Sequence, residues 1–157
     1  MKTMKSLCAI ALAGVAVAAT AGAAEERGYP GAQCSHSPST TNLEYSYLGV
    51  EVTNLSSASV FCGAAPVVGA NVDRIQATVV DRYPTSDVCC SMIVLNADGF
   101  AIASAFRCSS GSSGSSQLLS AAIPPNAAGT VGLQCSIPAA TGMGWSRVAS
   151  YRFHSIP

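Results

Sequence analysis

Short runs in which apolar and polar residues alternate recur along the chain, separated by clusters of Gly, Pro, Ser, Asn and Asp. The clearest run is "NVDRIQATVVDRY", residues 71–83, in which Ile75, Ala77 and Val79 alternate with polar residues. Alternation with a period of two is typical of a half-buried β-strand. The i, i+3, i+4, i+7 apolar spacing of an amphipathic helix is absent from the mature sequence. The pattern therefore predicts an all-β protein.

About eight short strands are predicted, at a spacing that favours a two-sheet antiparallel sandwich, with a small β-barrel as the alternative. In "LEYSYLGVEVTN", residues 43–54, the alternation changes parity beside Gly49, which we interpret as a β-bulge within one strand. The other predicted strands are "SASVFCG", residues 71–83, the two halves of "VCCSMIVLNADGFAIASAFRC", residues 117–121, "GTVGLQCSI" and "WSRVASYRF".

The predicted hairpin contains two adjacent cysteines, Cys89 and Cys90, in the stretch "SDVCCSMIVLNADGF". Successive side chains of a strand leave opposite faces of the sheet, so the two residues require different partners. A turn at residues 96–99 pairs Leu95 with Phe100 and makes Cys108 the diagonal neighbour of Cys89. We therefore predict a Cys89–Cys108 disulfide, although a loop of three residues would bring Cys90 there instead.

The first 24 residues have the composition of a secretory signal peptide. Lys2 and Lys5 precede an apolar run, residues 7–19, and small residues follow it at 21–24. The run is shorter than the ~20 residues that span a bilayer, so we expect cleavage, with Cys8 lost, and no membrane span in the mature chain. The predicted organisation is a signal peptide at 1–24, an irregular segment at 25–42 and a single sandwich domain at 43–157.

Charge and cysteine content restrict the partners and the compartment of the mature chain. Without Lys2 and Lys5, six arginines face eight carboxylates, and with no basic cluster a nucleic-acid partner is not expected. Six cysteines in an exported chain indicate a disulfide framework in the periplasm or outside the cell. On the second face of the hairpin strand, Cys90 has Cys135, Cys62 or Cys34 as candidate partners. We predict Cys90–Cys135, which leaves Cys34–Cys62 to hold the N-terminal segment.

Four stretches, "YLGVEVTNLSSASVFCG", "VDRYPTSDVCC", "LQCSIP" and "SYRF", resemble a group of uncharacterised small secreted bacterial proteins. The resemblance covers residues 45–153 and implies a secreted, cysteine-bridged β fold without a known activity. In that group Cys62, Cys90 and Cys135 match recurrent positions, and an ordinary residue usually stands at the position of Cys89. The resemblance thus implies that Cys89 and Cys108 are an added pair. The closing stretch at 152–154 departs from the group.

No residue pattern in the sequence indicates catalysis, a metal site or a cofactor. There is no G-x-S-x-G elbow, and the His36 and His154 positions lack the spacing of metal ligands. Carboxylate pairs such as Glu44 with Glu51, or Asp73 with Asp81, are common on solvated strand faces. A vicinal Cys89–Cys90 disulfide would require a broken strand. We therefore expect no enzyme, no metal and no cofactor.

The last predicted strand offers a candidate binding surface, because Trp145, Arg147 and Tyr151 share a parity and aromatic rings with an arginine can hold a sugar. The alternative is that its aromatic residues form the core face of a strand. Three loops are further candidates for partner contact: Pro84 to Asp87, the Ser/Gly-rich run Ser109 to Ser116, which we expect to be mobile, and Ala140 to Gly144.

The sequence as a whole predicts a secreted non-catalytic protein that binds an unknown protein or carbohydrate partner, or that serves as a structural component. Two alternatives remain open: a surface or fibre subunit that self-associates by strand exchange, and a small extracellular hydrolase.

Overall fold

The computed structural model describes residues 25–36, 43–53, 55–63, 71–96, 98–124, 130–142 and 144–156. Within these ranges the chain forms eleven β-strands and one turn of 3-10 helix. The strands are β1 Glu25–Pro30, β2 Ser35–His36, β3 Leu43–Ser46, β4 Gly49–Val52, β5 Ala58–Gly63, β6 Asn71–Val80, β7 Cys89–Leu95, β8 Ala101–Cys108, β9 Ser116–Ala122, β10 Thr130–Ile137 and β11 Arg147–Ile156, and the 3-10 turn is Gly31–Gln33.

The strands form two sheets in which neighbouring strands are antiparallel. Sheet 1 has six strands in the order β3-β4-β11-β6-β9, and β1 also pairs with β11, beyond the short stretch that β4 covers. Sheet 2 has five strands in the order β2-β5-β10-β7-β8. The predicted all-β, two-sheet antiparallel sandwich is confirmed, with more strands than the sequence indicated.

The core lies between the sheets and is filled by alternate residues of their long central strands. On β6 the predicted set Ile75, Ala77 and Val79 is fully buried. On β7 the buried residues are Cys90 and the apolar residues of the same parity, and β11 contributes Tyr151 and Phe153. Full burial of a large apolar side chain such as Ile75 or Val79 stabilises the fold by about 1.5–3 kcal/mol.

Three disulfides link segments of sheet 2, and two of them join neighbouring strands directly. Cys34–Cys62 ties the residue before β2 to β5, Cys90–Cys135 joins β7 to β10, and Cys89–Cys108 joins β7 to β8. The pairs are those that the sequence suggested. Cys90 is fully buried and Cys89 is half-buried, so the adjacent cysteines do leave opposite faces of their strand.

The predicted register of the β7–β8 hairpin was wrong by two residues. Cys89 lies directly opposite Cys108, and Leu95 pairs with Ala101 rather than with Phe100. The cause is the loop, in which the Asn96 side-chain oxygen accepts hydrogen bonds from the backbone N–H groups of Asp98 and Phe100. This lengthens the connection. From Cys89 to Val94 the shift of two residues keeps the side chains on their predicted faces, and an irregularity between Val94 and Leu95 reduces the shift to one residue at the end of the strand.

Residues 43–52 form a hairpin rather than one bulged strand. β3 and β4 are antiparallel, Ser46 pairs with Gly49, and Tyr47 and Leu48 form the turn. The Ser46 hydroxyl accepts a hydrogen bond from the Leu48 backbone N–H. A bulge and a two-residue turn change the alternation in the same way, so the sequence pattern alone did not separate them.

The segment 25–42 is not irregular where the structure describes it. Residues 25–30 form β1, which pairs with β11 in sheet 1, and residues 35–36 form β2, which pairs with β5 in sheet 2. The segment 25–36 therefore joins both sheets. Residues 37–42 and the predicted signal peptide, 1–24, lie outside the described residues, and no helix in the described part is long and apolar enough to span a membrane.

The Ser/Gly-rich run at 109–117 is fastened at several points, against the expectation of a mobile loop. Gln117 accepts a hydrogen bond from the Ser110 N–H through its side-chain oxygen and donates to the Ser110 and Gly111 carbonyls. Gly114 N–H donates to the Asp81 carbonyl over 2.9 Å. The prediction of mobility relied on the low apolar content of the run, which does not indicate whether polar groups hydrogen-bond.

Candidate functional site

A buried carboxylate organises one end of the sandwich. Asp81 follows β6 directly and has no exposed surface. One of its oxygens accepts the Ser109 hydroxyl over 2.6 Å, and the other accepts the Ser146 hydroxyl and the Tyr83 backbone N–H. Since a buried carboxylate requires such donors, Asp81 holds together three segments that are distant in sequence.

The two serines also form hydrogen bonds with the backbone. The Ser109 oxygen accepts a hydrogen bond from the Val88 N–H over 2.8 Å, and the Ser146 oxygen accepts one from the Arg82 N–H over 2.9 Å. Each hydroxyl thus donates to the carboxylate and accepts from the main chain. The arrangement fixes the position of the backbone at Arg82 and at Val88, on either side of residues 83–87.

The three loops predicted to contact partners converge at this end around Arg82. A Cβ atom at Gly114 would lie 3.2 Å from the Arg82 guanidinium carbon, and one at Gly144 would lie 2.9 Å from its Cδ. The Thr141 hydroxyl also donates to the Arg82 carbonyl over 3.4 Å. The side chain of Arg82 therefore packs between the backbones of two of the loops, and its own segment leads into the third.

A polar cleft of about 590 Å³ opens beside this cluster. Its lining is rich in hydroxyl groups, with one carboxylate and one phenol ring. The lining residues are Ser57, Tyr83, Thr85, Ser86, Asp87, Cys89, Ser136, Pro138 and Ala139. Of the predicted loops, Pro84 to Asp87 supplies three of these residues. No sequence pattern predicted that Ser57 and Ser136 would join them.

An apolar groove of about 290 Å³ lies elsewhere on sheet 2. Gly63 of β5 pairs with Gly132 of β10, and no atom lies within 4 Å of the position of a Cβ at either residue. Phe61 flanks this opening on β5, and Ile93 and Leu95 flank it on β7. The groove is therefore a consequence of two facing glycines between larger apolar neighbours.

Cleft and groove share the outward-facing side of sheet 2, called here the outer face. Within the described strands β5, β7, β8 and β10 its positions are Ser59, Phe61, Gly63, Cys89, Ser91, Ile93, Leu95, Ser104, Phe106, Cys108, Thr130, Gly132, Gln134 and Ser136. None of these side chains is charged. Arg107 of β8 has the opposite parity and donates to the Ser120 carbonyl of sheet 1.

The outside of sheet 1 differs from this face because it carries ion pairs. Arg152 of β11 donates to Glu26 of β1 over 2.8 Å, and this hydrogen bond lowers the pKa of the Glu26 carboxyl. His154 Nδ1 contacts the Asp73 carboxylate on β6. The two sides of the sandwich therefore suit different partners.

The candidate surface of Trp145, Arg147 and Tyr151 is not formed. A register irregularity between Val148 and Ser150 reverses the parity of β11, so Tyr151 points into the core while Arg147 points outward. Tyr151 is only 1% exposed and donates its hydroxyl to the Gly63 carbonyl. Trp145 is 41% exposed but precedes β11 and is not a lining residue of the cleft.

The aromatic residues of β11 instead form a packed cluster with the N-terminal strand. Tyr29 of β1 stacks on Tyr151 with ring centroids 5.2 Å apart, and Phe153 meets both rings edge-on. Burial raises the pKa of the Tyr151 phenol, and Tyr29 raises it further. The alternative interpretation of this stretch, as the core face of a strand, applies to Tyr151 and Phe153, because both are buried.

Three of the four carboxylates in the pairs Glu44 with Glu51 and Asp73 with Asp81 have structural partners. Glu44 lies opposite Glu51 in the β3–β4 hairpin, and Glu51 is buried and 3.7 Å from the Arg147 guanidinium. Asp73 contacts His154 and Asp81 is enclosed by serines, so the two do not face one another across a cleft. Among the described residues no group of three or more His, Cys, Asp and Glu side chains is arranged to hold a metal ion.

Comparison with known proteins finds similarity in fold alone. No family model matches the sequence, and no curated protein matches it. Among solved structures, the CBM36-1 domain of a multidomain xylanase from the hindgut metagenome of Trinervitermes trinervoides matches with a TM-score of 0.51 at 8% identity, over 82% of this chain and 96% of that domain. At this low identity the match shows similarity in the β-sandwich fold alone.

Two other solved structures match with lower TM-scores. The low-affinity xylan-binding module CBM86 from Roseburia intestinalis has a TM-score of 0.46 at 14% identity, over 83% of this chain and 96% of its own. The xylan-binding module CBM15 has a TM-score of 0.43 at 18% identity, over 83% and 90%. The resemblance to small secreted bacterial proteins stays a prediction.

Proposed function

We propose that the protein is an exported, non-catalytic carbohydrate-binding protein that holds sugar in the polar cleft at the Asp81 end of the sandwich. The observation that carries the proposal is the lining of this cleft, where the Tyr83 ring stands among hydroxyl side chains and the Asp87 carboxylate. A sugar ring presents hydroxyl groups at its edge and apolar C–H groups on its faces. Such a lining offers hydrogen bonds to the first and an aromatic surface to the second.

The absence of cations from the cleft favours a neutral or weakly charged sugar. None of the described lining residues is Lys or Arg, so phosphate and sulfate groups would find no charged partner there. The cleft is open, and its wall includes Cys89 and Ser136 of the disulfide-linked sheet 2, while the Asp81 hydrogen bonds hold the loop that carries Tyr83. A pre-formed site of this kind loses little conformational entropy on binding.

Export agrees with the covalent structure. Three disulfides persist in an oxidising compartment such as the periplasm or the extracellular space, and the predicted signal peptide would deliver the chain there. The shared sandwich fold of a carbohydrate-binding domain from a xylanase is compatible with the proposal by analogy.

The test is isothermal titration calorimetry of the mature protein against soluble neutral polysaccharides, including xylan, galactan and mannan. We expect at least one to bind, and Tyr83→Ala to weaken that binding about tenfold, equal to ~1.4 kcal/mol. Tyr47→Ala is the matched control, because Tyr47 is 93% exposed on the β3–β4 turn, outside the cleft.

Two results would contradict the proposal: no binding to any of these polysaccharides, or equal affinities for the wild type and Tyr83→Ala. A parallel incubation measures the release of reducing ends from the bound polysaccharide. We expect no release above the blank, and a sustained release would favour the hydrolase alternative instead.

A further inference from the structure

The apolar groove is built from backbone that leaves space above it. Gly63 and Gly132 form a directly paired couple on β5 and β10, and both open outward. Phe61, 44% exposed, stands at one side, and Ile93 of β7 pairs with Gly132 at the other. A flat apolar ring that enters here contacts two backbones below and apolar side chains at its edges.

The groove and the polar cleft lie at opposite ends of one strand pair. Cys89 and Ser136 are paired at the cleft end, and Leu95 and Thr130 are paired at the groove end. Six residues of extended strand separate these ends, which is about 20 Å at ~3.3 Å per residue. Between them the outer face presents Ser91 opposite Gln134, both uncharged hydrogen-bonding groups.

From this arrangement we infer that the ligand is an extended, neutral polysaccharide chain that runs along the outer face of sheet 2, from the polar cleft to the apolar groove. The inference rests on the proposed function and specifies its ligand. One sugar unit lies against Tyr83 in the cleft. A unit several positions along places its apolar face over Gly132, and Gln134 and Thr130 bond its hydroxyls.

The absence of cations from the described positions of the outer face selects the class of polymer. No described position of the outer face in β5, β7, β8 or β10 carries a cation, so the carboxylates of an acidic polysaccharide would lose their hydration without an ionic partner. A neutral chain has no such penalty. The ion pairs on the outside of sheet 1 make the opposite side less suitable for the same ligand.

A second copy of the protein is the main competing occupant, and the available area disfavours it. The four strands that carry the outer face, at ~4.8 Å spacing and about seven residues of ~3.3 Å in length, give a face of roughly 440 Å². Two such faces would bury roughly 900 Å², below the ~1,200–2,000 Å² of stable interfaces.

The experiment is calorimetry with neutral oligosaccharides of increasing length, from disaccharide to hexasaccharide, in the β-1,4-linked gluco-, xylo-, manno- and galacto-series. We expect the hexasaccharide of the preferred series to bind at least tenfold more tightly than its disaccharide. Gly132→Leu fills the groove and should remove most of this gain while the disaccharide affinity stays unchanged. Gly63→Leu should act in the same way.

Gly28→Leu is the matched control, because Gly28 of β1 also has open space at its Cβ position but belongs to sheet 1. It should leave every affinity unchanged, and unfolding curves establish that each variant folds. Oligogalacturonate of the same length should bind at least tenfold more weakly than the neutral hexasaccharide.

Each other outcome has one meaning. Equal affinities for disaccharide and hexasaccharide, or a Gly132→Leu variant that binds like the wild type, overturn the extended ligand and leave the proposed function intact. Equal binding of oligogalacturonate overturns the neutral specificity. Binding of no neutral sugar overturns the proposed function itself, and a wild-type dimer that Gly132→Leu dissociates in sedimentation assigns the face to self-association.

Discussion

At the scale of single residues, the carbonyl of Val148 leaves no space for a side chain at two positions, Gly31 and Gly49. A Cβ atom at Gly31 would lie 2.0 Å from the Val148 oxygen, and one at Gly49 would lie 2.1 Å from it. Gly49 also has a φ of +127°, a conformation that other residues adopt only under strain. The irregular register of β11 beside Val148 brings this carbonyl close to both neighbouring segments.

Gly49→Ala should therefore destabilise the protein. The unfavourable φ alone costs about 1–3 kcal/mol. The contact between the new Cβ atom and the Val148 carbonyl oxygen adds to this cost, because neither atom can move away without a shift of the backbone. Denaturant unfolding measures the loss. Gly28→Ala, with open space and no positive φ, should stay within ~0.5 kcal/mol of the wild type; similar values for the two variants would show that the close approach is not present.

The same irregularity in β11 explains which residue predictions succeeded. Ile75, Ala77 and Val79 lie on a stretch of β6 with unbroken alternation, and their common burial was predictable. Trp145, Arg147 and Tyr151 span a change of parity that no residue signals, since the chain has no glycine or proline between 145 and 151. Position in the sheet, not local preference, sets this irregularity.

At the scale of elements, the Asp81 network determines the shape of the proposed binding site. The carboxylate accepts from Ser109, Ser146 and the Tyr83 N–H, so it joins the end of β6 to the residue after β8 and to the residue before β11. Tyr83 lines the cleft two residues later. The position of its ring therefore depends on a buried group that does not itself contact the cleft.

Asp81→Asn tests this dependence. The substitution places an NH₂ donor where only donors point, so one buried hydroxyl loses its acceptor at a cost of about 1–3 kcal/mol. We expect that loss in denaturant unfolding together with weaker polysaccharide binding. Asp98→Asn, at an exposed position of the β7–β8 loop, is the control and should change neither quantity. Full binding by Asp81→Asn would show that the network supports stability alone.

Element types were predicted better than their connections. The hairpin of β7 and β8 was expected, yet its register depended on the Asn96 side chain, which accepts from two backbone N–H groups. The turn at Tyr47 and Leu48 lacks the Gly, Asn or Asp that usually signals one. β1 has no alternating pattern because its neighbour β11, rather than its own sequence, provides the pairing.

At the scale of the whole molecule, the covalent links are unequally distributed. Two of the four strand interfaces in sheet 2 carry a disulfide, a third disulfide ties the residue before β2 to β5, and none of these bonds joins the two sheets. Sheet 1 is held by packing, hydrogen bonds and ion pairs. The proposed binding face thus lies on the more strongly cross-linked sheet.

Two of these bonds should contribute differently to stability and to binding. Cys90–Cys135 spans 45 residues and is fully buried, and Cys89–Cys108 spans 19 residues with Cys89 at the edge of the cleft. Restriction of the unfolded chain stabilises by about 4 and about 3 kcal/mol respectively, and removal of the buried pair also leaves a cavity. The double replacement Cys90→Ala/Cys135→Ala should therefore cost more stability.

The Cys89→Ala/Cys108→Ala protein should instead lose more binding relative to its loss of stability, since the bond fixes the strand end beside Asp87. Denaturant unfolding and calorimetry with the preferred hexasaccharide measure the two quantities on both proteins, and peptide mapping without reductant checks the pairs in the wild type. A Cys89–Cys90 peptide would contradict the pairing. An outer pair that costs more stability than the buried one would show that chain restriction and burial do not control the stability of this sheet.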